Sequence, residues 1–228
     1  MSKYKTEARI FGIFFILAFF SYGIGSALID SVVTTPDFLS SVYANQIKIV
    51  IGVVLISLIH SFVNIGLPVI VLPVLKPFNK YLTYGYLSAA ISATTILAVG
   101  TILLLLLIPL SAEYVKASSA ELATLETIGL LLKKGGYFAY HMGMALWSIG
   151  GLLFVSILYK SRLIPRLMSI WGLIGYFVLL SGSILLLLEH SSIIEIGSVI
   201  PGGLFEITLS IWLLFKGFNQ SVIISELP

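Results

Sequence analysis

Cysteine is absent from the 228-residue chain and charge is scarce, with Asp, Glu, Lys and Arg together making only 10% of it, where a soluble domain carries about 25%. The first absence excludes a disulfide scaffold and a thiol nucleophile. The second excludes an ordinary soluble fold, disorder and a soluble nucleic-acid binder. Fingerprints of common enzymes are missing too: there is no Walker loop, no Rossmann glycine pattern, no Gly-x-Ser-x-Gly elbow and no His-Glu-x-x-His pair. What is present is apolar. Hydrophobic residues make 58% of the chain and the mean hydropathy is +1.09, so most of the protein is solvated by lipid. The net charge of +3 and isoelectric point near 9.0 then read as membrane topology rather than affinity for polyanions.

A hydrocarbon core about 30 Å thick is crossed by roughly 20 apolar residues in a helix, because no backbone group can stay unpaired in lipid. Six runs qualify: 10–29, 49–75, 81–110, 137–159, 167–188 and 196–215. The expected fold is all-α, a six-span transmembrane helical bundle, with residues 1–228 forming one integral-membrane domain. Cations in short loops stay on the cytoplasmic side. With the N-terminus inside, that side holds Lys3, Lys5, Arg9, Lys76, Lys80, Lys160, Arg162, Arg166 and Lys216, against Lys48, Lys116, Lys133 and Lys134 on the other. Asp30, Asp37, Glu113, Glu121, Glu126, Glu189 and Glu195 fall outside on the same assignment. Both termini are therefore expected in the cytoplasm. Lys3 and Lys5 before an apolar run, with Gly25-Ser26-Ala27 after it, also fit a cleavable signal peptide; the continuation of the run to Ile29 favours a retained span.

The loop 111–136 contains the code of an amphipathic helix over 118–134 on the outer face. Ser118 and Glu121 form a capping box, Leu122, Leu125, Ile128 and Leu132 share a face, Lys133 and Lys134 close the last turn, and Gly135 stands as a stop. Such a helix either caps the outer mouth of the bundle or floats in the headgroups. Thr35, Pro36 and Asp37 signal another short helix in the first outer loop. Tyr84-Gly85-Tyr86-Leu87-Ser88 and Trp171-Gly172-Leu173-Ile174-Gly175 echo one another, which fits either a parallel repeat or close packing at Ser88, Ser92, Ala89, Ala93, Gly172 and Gly175.

An ionisable group at membrane depth costs about 2.5 to 3.5 kcal/mol on insertion scales and is a functional candidate by default. Glu206 is such a group, ten residues before Lys216 and so roughly 15 Å along the helix axis from its inner end. It follows Pro201, Gly202 and Gly203, a string expected to break or kink the helix and expose backbone groups. The carboxyl is then either a ligand or proton site, or a group that hydrogen-bonds across the bundle for packing specificity. His60, Asn64 and Pro68 stand four residues apart, on one face of the second span. His141 lies near the outer end of the fourth span, with Tyr137 before it and Trp147 deeper. Ser21, Tyr22, Ser92, Thr95, Ser148 and Ser181 fall at matching levels and either line a polar cavity or join helices. Two histidines and an acid are a possible zinc set, but their spacing and differing depths argue for no metal, and no cofactor is expected. No catalytic residue can be assigned.

Ala8-Arg9-Ile10-Phe11-Gly12, the run from Leu158 through Arg166 into Ser169-Ile170-Trp171-Gly172-Leu173-Ile174-Gly175, and Pro201-Gly202-Gly203-Leu204-Phe205-Glu206 with Trp212 and Lys216-Gly217 carry a resemblance. In this order they are similar to a group of bacterial multi-pass membrane proteins, the domain of unknown function 4386. The resemblance implies a multi-pass protein of a prokaryotic cytoplasmic membrane and brings no activity or catalytic residues. The function expected is binding or transport of a small molecule or lipid through an outward-facing polar cavity, with Glu206, His60, Asn64 and His141 as candidate ligand-binding residues and Pro201, Gly202 and Gly203 as the helix break. The alternatives are an intramembrane enzyme acting on lipid, with His141 or His60 as acid or base, and a structural or partner-binding membrane protein. Membrane lipids are the expected partners; nucleic acid is not.

Overall fold

The computed structural model describes residues 4–188 and 191–226; Lys3, Glu189 and His190 lie outside the described residues. Among the described residues the chain is helical and has no strand. The helices are α1 (Lys5–Val33), α2 (Phe38–Ala44), α3 (Gln46–Val54), α4 (Ser61–Leu75), α5 (Lys80–Leu105), α6 (Leu107–Tyr114), α7 (Leu122–Ser161), α8 (Arg166–Leu188), α9 (Ser192–Phe215) and α10 (Gln220–Glu226), with a π-helical stretch, Leu55–His60, joining α3 to α4. Six segments are long and apolar enough to cross a membrane: Lys5–Val33, Gln46–Leu75, Lys80–Tyr114, Leu122–Ser161, Arg166–Leu188 and Ser192–Phe215. Each contains one of the six runs read from the sequence. Large apolar side chains stay on the outside of these segments, Phe62 at 72% exposure and Phe177 at 63% among them. In water such surfaces would aggregate; in hydrocarbon they are solvated.

The chain divides into two compact units, one of residues 1–17, 63–94 and 141–228, the other of residues 18–62 and 95–140. The core of the first gathers Phe11, Phe15, Leu67, Tyr86, Phe154, Tyr176 and Phe205. Its aromatic rings touch in sequence, Phe15 on Phe11 at 5.1 Å, Phe11 on Phe154 at 5.4 Å and Phe154 on Tyr86 at 4.9 Å between centroids. The core of the second gathers Ile29, Val32, Leu39, Val42, Ile49 and Leu107.

The expected outer-face helix does not stop at Gly135. Residues 118–134 and 137–159 were expected as two elements, but α7 runs unbroken from Leu122 to Ser161. A glycine ends a helix by taking a left-handed conformation, and among the described residues the only glycine with positive φ is Gly217. Gly135 and Gly136 instead make room for α5: a Cβ on Gly135 would stand 2.7 Å from Leu103, and one on Gly136 3.3 Å from Leu104. The capping half of the code is realised, since the Ser118 N–H and Oγ both donate to Glu121 Oε2, at 2.9 and 2.7 Å. Of the expected apolar face, Leu122, Leu125 and Leu132 are half-buried, but Ile128 is exposed and its neighbour Gly129 is buried against Phe38 and Leu39 of α2. Lys133 lies over the Phe38 ring at 4.3 Å and donates to the Val33 carbonyl at 2.5 Å. This segment thus packs on α2, whose N-cap is Asp37.

The expected break at Pro201, Gly202 and Gly203 is absent as well. α9 is continuous from Ser192 to Phe215 with Pro201 inside it. The physical reason is packing against α8. A Cβ on Gly175 would stand 2.9 Å from Gly202 Cα, one on Gly172 would stand 2.6 Å from the Phe205 ring, and one on Gly182 would fall on Ser198. The small residues form an antiparallel seam that brings the two backbones together, and that contact holds the helix through the residue lacking an N–H. In the third span, Ala89 meets Gly150 in the same way, whereas Ser88 and Ser92 are exposed.

Candidate functional site

Glu206 sits midway along α9 with 9% of its surface exposed. Its Oε1 accepts two hydrogen bonds, from the Trp147 Nε1–H of α7 at 3.0 Å and from the Tyr176 hydroxyl of α8 at 2.7 Å. Among the described residues its other oxygen, Oε2, receives none. The arrangement follows from where side-chain bulk is missing. A Cβ on Gly151 would fall on the Tyr176 ring, so the glycine one turn after Trp147 lets that ring lie against α7. Gly172 leaves the space that Phe205 fills, and Phe205 meets the Tyr176 ring edge-on at 5.9 Å. The Ser210 hydroxyl donates to the Glu206 carbonyl at 2.6 Å, anchoring the backbone beneath.

Tyr86 completes the surroundings. It is 1% exposed, its ring lies 4.9 Å from Phe154 and 6.4 Å from Trp147, and among the described residues its hydroxyl has no hydrogen-bond partner. A buried hydroxyl left unpaired costs about 1–3 kcal/mol, so it marks a place where a partner is expected. Chemically, Oε1 is committed to the protein. Oε2 and the Tyr86 hydroxyl remain to accept or donate a hydrogen bond to a guest, or to exchange a proton.

The other candidate residues are distributed differently. Asn64 and His141 belong to the same unit as Glu206 and are buried, at 5% and 2% exposure, while the two hydrogen bonds on Glu206 Oε1 come from Trp147 and Tyr176. His60 belongs to the other unit, where its Nδ1 donates to the Ala18 carbonyl at 3.0 Å and its ring lies 5.2 Å from Tyr22. It closes the π-helical stretch Leu55–His60. In the same unit Ser57, within that stretch, is hydrogen-bonded to Thr101. Ser21, Ser148 and Ser181 each donate to a carbonyl of their own helix, those of Ala18, Met144 and Phe177, and Ser92 and Thr95 are exposed. Pro201 and Gly202 serve the α8 seam rather than a break in α9. Among the described residues no three His, Asp or Glu side chains gather as metal ligands.

Two residues of the site escaped the sequence reading. Tyr176 and Tyr86 were not singled out as partners of Glu206, and Trp147 was noted only for its depth. The signal was available in their position. Tyr and Trp belong at the membrane interface, where the polar tip stays wet, yet Tyr176 lies ten residues past Arg166 in an uncharged run and must find its partner inside.

A family model described as Domain of unknown function (DUF4386) matches residues 10–217. No curated protein and no solved structure matches the chain.

Proposed function

The chain belongs to the domain of unknown function 4386 family, and from that premise we propose that it binds a small molecule or lipid inside the membrane through Glu206 and Tyr86. One observation carries the reading: Glu206 is held by Trp147 and Tyr176 through Oε1 alone, next to a buried tyrosine hydroxyl without a partner. Placing a carboxyl at this depth is costly, and packing specificity would be served by saturating both its oxygens. A guest carrying a hydroxyl or amino group fits what is left over, donating to Oε2 while the Tyr86 hydroxyl meets a second polar atom. Transport is the larger form of the same activity, with the buried carboxyl as the group that exchanges its proton for the guest. Asn64 and His141, buried in the same unit, are further candidates to line its path.

On this reading the protein resides in a prokaryotic cytoplasmic membrane with both termini inside. The turn at 76–79, the turn at 162–165 and the end of α9 then share the inner face with the start of α1, which gathers the cations there.

Glu206→Gln tests the proposal cleanly, because the amide keeps a carbonyl oxygen for Trp147 and Tyr176 and replaces the accepting Oε2 by a donor. Native mass spectrometry of protein extracted from its membrane should show a co-purifying molecule on wild type and its loss from Glu206→Gln at unchanged folding. Equal occupancy of the two proteins would refute the site.

A further inference from the structure

The cationic end of the first unit holds a second feature unconnected with Glu206. The α7–α8 turn and the segment leading from α9 into α10 enclose an open crevice of about 660 Å³ lined by Arg162, Arg166, Lys216, Trp212, Asn219 and Gln220 among others. That volume is within the ~300–1,000 Å³ typical of ligand sites. Among the described residues no acidic one lines it. The one ion pair among the described residues is Lys116 with Glu113, so none of the three cations is neutralised by a carboxylate. Arg166 leans on the Tyr159 ring at 5.5 Å.

The crevice is built rather than incidental. The Asn219 N–H donates to the Leu163 carbonyl at 2.9 Å and its Nδ2 to the Arg162 carbonyl at 3.3 Å, tying the two walls together. Each wall turns on a left-handed residue, Arg162 at φ 57° and Gly217 at φ 72°. Glycine is the ordinary occupant of such a conformation, and an arginine there carries a strain that a side chain needed at that spot would justify. α8 starts at Arg166, so the positive end of a 23-residue helix opens at the same place.

We propose that this crevice is a binding site for the phosphate headgroup of an anionic membrane lipid, held by Arg162, Arg166 and Lys216. A phosphate group is the natural counter-ion for three unpaired cations around a helix N-terminus, and arginine meets it through paired N–H donors. The lipid, rather than a free phosphate, follows from the neighbours. Leu167, next to Arg166, is 80% exposed and Phe215, next to Lys216, is 78% exposed, so the cations border apolar surface on which acyl chains lie. Trp212 adds an interfacial ring within the crevice. Basic pockets of this kind between transmembrane helices suit anionic headgroups.

Titration of the purified full-length protein with dioleoylphosphatidylglycerol, dioleoylphosphatidylcholine, glycerol phosphate and inorganic phosphate, followed by native mass spectrometry, tests the assignment. The phosphatidylglycerol should bind more tightly than the other three. Arg162→Asn, which suits the left-handed turn, and Lys216→Gln should each weaken it about fivefold, and the double variant about 25-fold; Lys48→Gln, an exposed cation outside the crevice, should bind as wild type. Equal affinity for the two lipids, unchanged affinity in the double variant, or phosphate competing as strongly as lipid would each overturn the proposal. The comparison of the four probes on wild type decides it even if a variant folds poorly.

Discussion

At the scale of the residue, the informative contrast is between two buried tyrosines, Tyr176 and Tyr86. Tyr176 spends its hydroxyl on Glu206 Oε1 at 2.7 Å, and Tyr86 spends its own on nothing. Their phenylalanine variants should therefore behave oppositely. Tyr176→Phe should destabilise the protein by about 0.6 to 1.7 kcal/mol, the range of hydrogen bonds between membrane helices. Tyr86→Phe should leave stability unchanged or raise it, since it removes an unpaired polar group, while abolishing occupancy by the co-purifying molecule. Unfolding curves in detergent, run beside native mass spectrometry, separate the two. A loss of stability in Tyr86→Phe equal to that in Tyr176→Phe would mean the hydroxyl serves packing and not a guest. Glu206 itself was legible as the acid standing at membrane depth, because charge at that depth is rare. Its partners were not, because a tyrosine or tryptophan in an apolar run looks like core until a neighbouring helix supplies the acceptor.

At the scale of the element, the α8–α9 pair shows what glycine does in lipid. Helices there gain no hydrophobic advantage from meeting each other, so they associate by close van der Waals contact at small residues. Gly175→Val should push α9 away and cost about 1–3 kcal/mol through overpacking, since even a Cβ would lie 2.9 Å from Gly202. Gly197→Ala on the same pair is the control, for nothing lies within 4 Å of its Cβ position, and it should stabilise slightly by helix propensity. If both changes had equal effects on the melting temperature, the seam would not be what holds the pair. The start of α7 carries a pH dependence outside the spans. Two donors from Ser118 hold the Glu121 carboxyl below its ordinary range. A depressed folded-state value means that its contribution is present above the unfolded carboxylate range and is lost as pH falls through the lower, folded value. Amide exchange at 118–122 should accelerate in that acidic window and be flat above it; Ser118→Ala should remove much of the acid sensitivity. The sequence showed this cap because it is local. It misjudged Gly135 and Gly202 because a glycine reads the same whether it ends a helix or admits a neighbour.

At the scale of the whole molecule, the chain is an all-α protein with six segments fit to cross a membrane. The proposed topology makes a direct prediction in a protein without cysteine. Pro77→Cys and Lys160→Cys, both exposed, should resist an impermeant thiol reagent in intact cells and react after lysis, while Thr34→Cys and Ala120→Cys, also exposed, should react from outside. Labelling of position 77 or 160 in intact cells would invert the orientation. The reversed pattern would also move the lipid crevice at 162–166 and 216–220 to the other leaflet without altering its chemistry.

Run length and charge placement suffice to predict six membrane segments, because lipid imposes one rule on every residue that enters it: pair the backbone and withhold charge. That rule acts along the chain and can be read along it. Which polar groups meet is decided across the chain, by helices distant in sequence: Glu206 with Trp147 and Tyr176, Arg162 with Asn219. Each of those pairings requires a close approach that a missing side chain or a tight turn permits, and such an approach exists only once the helices have packed.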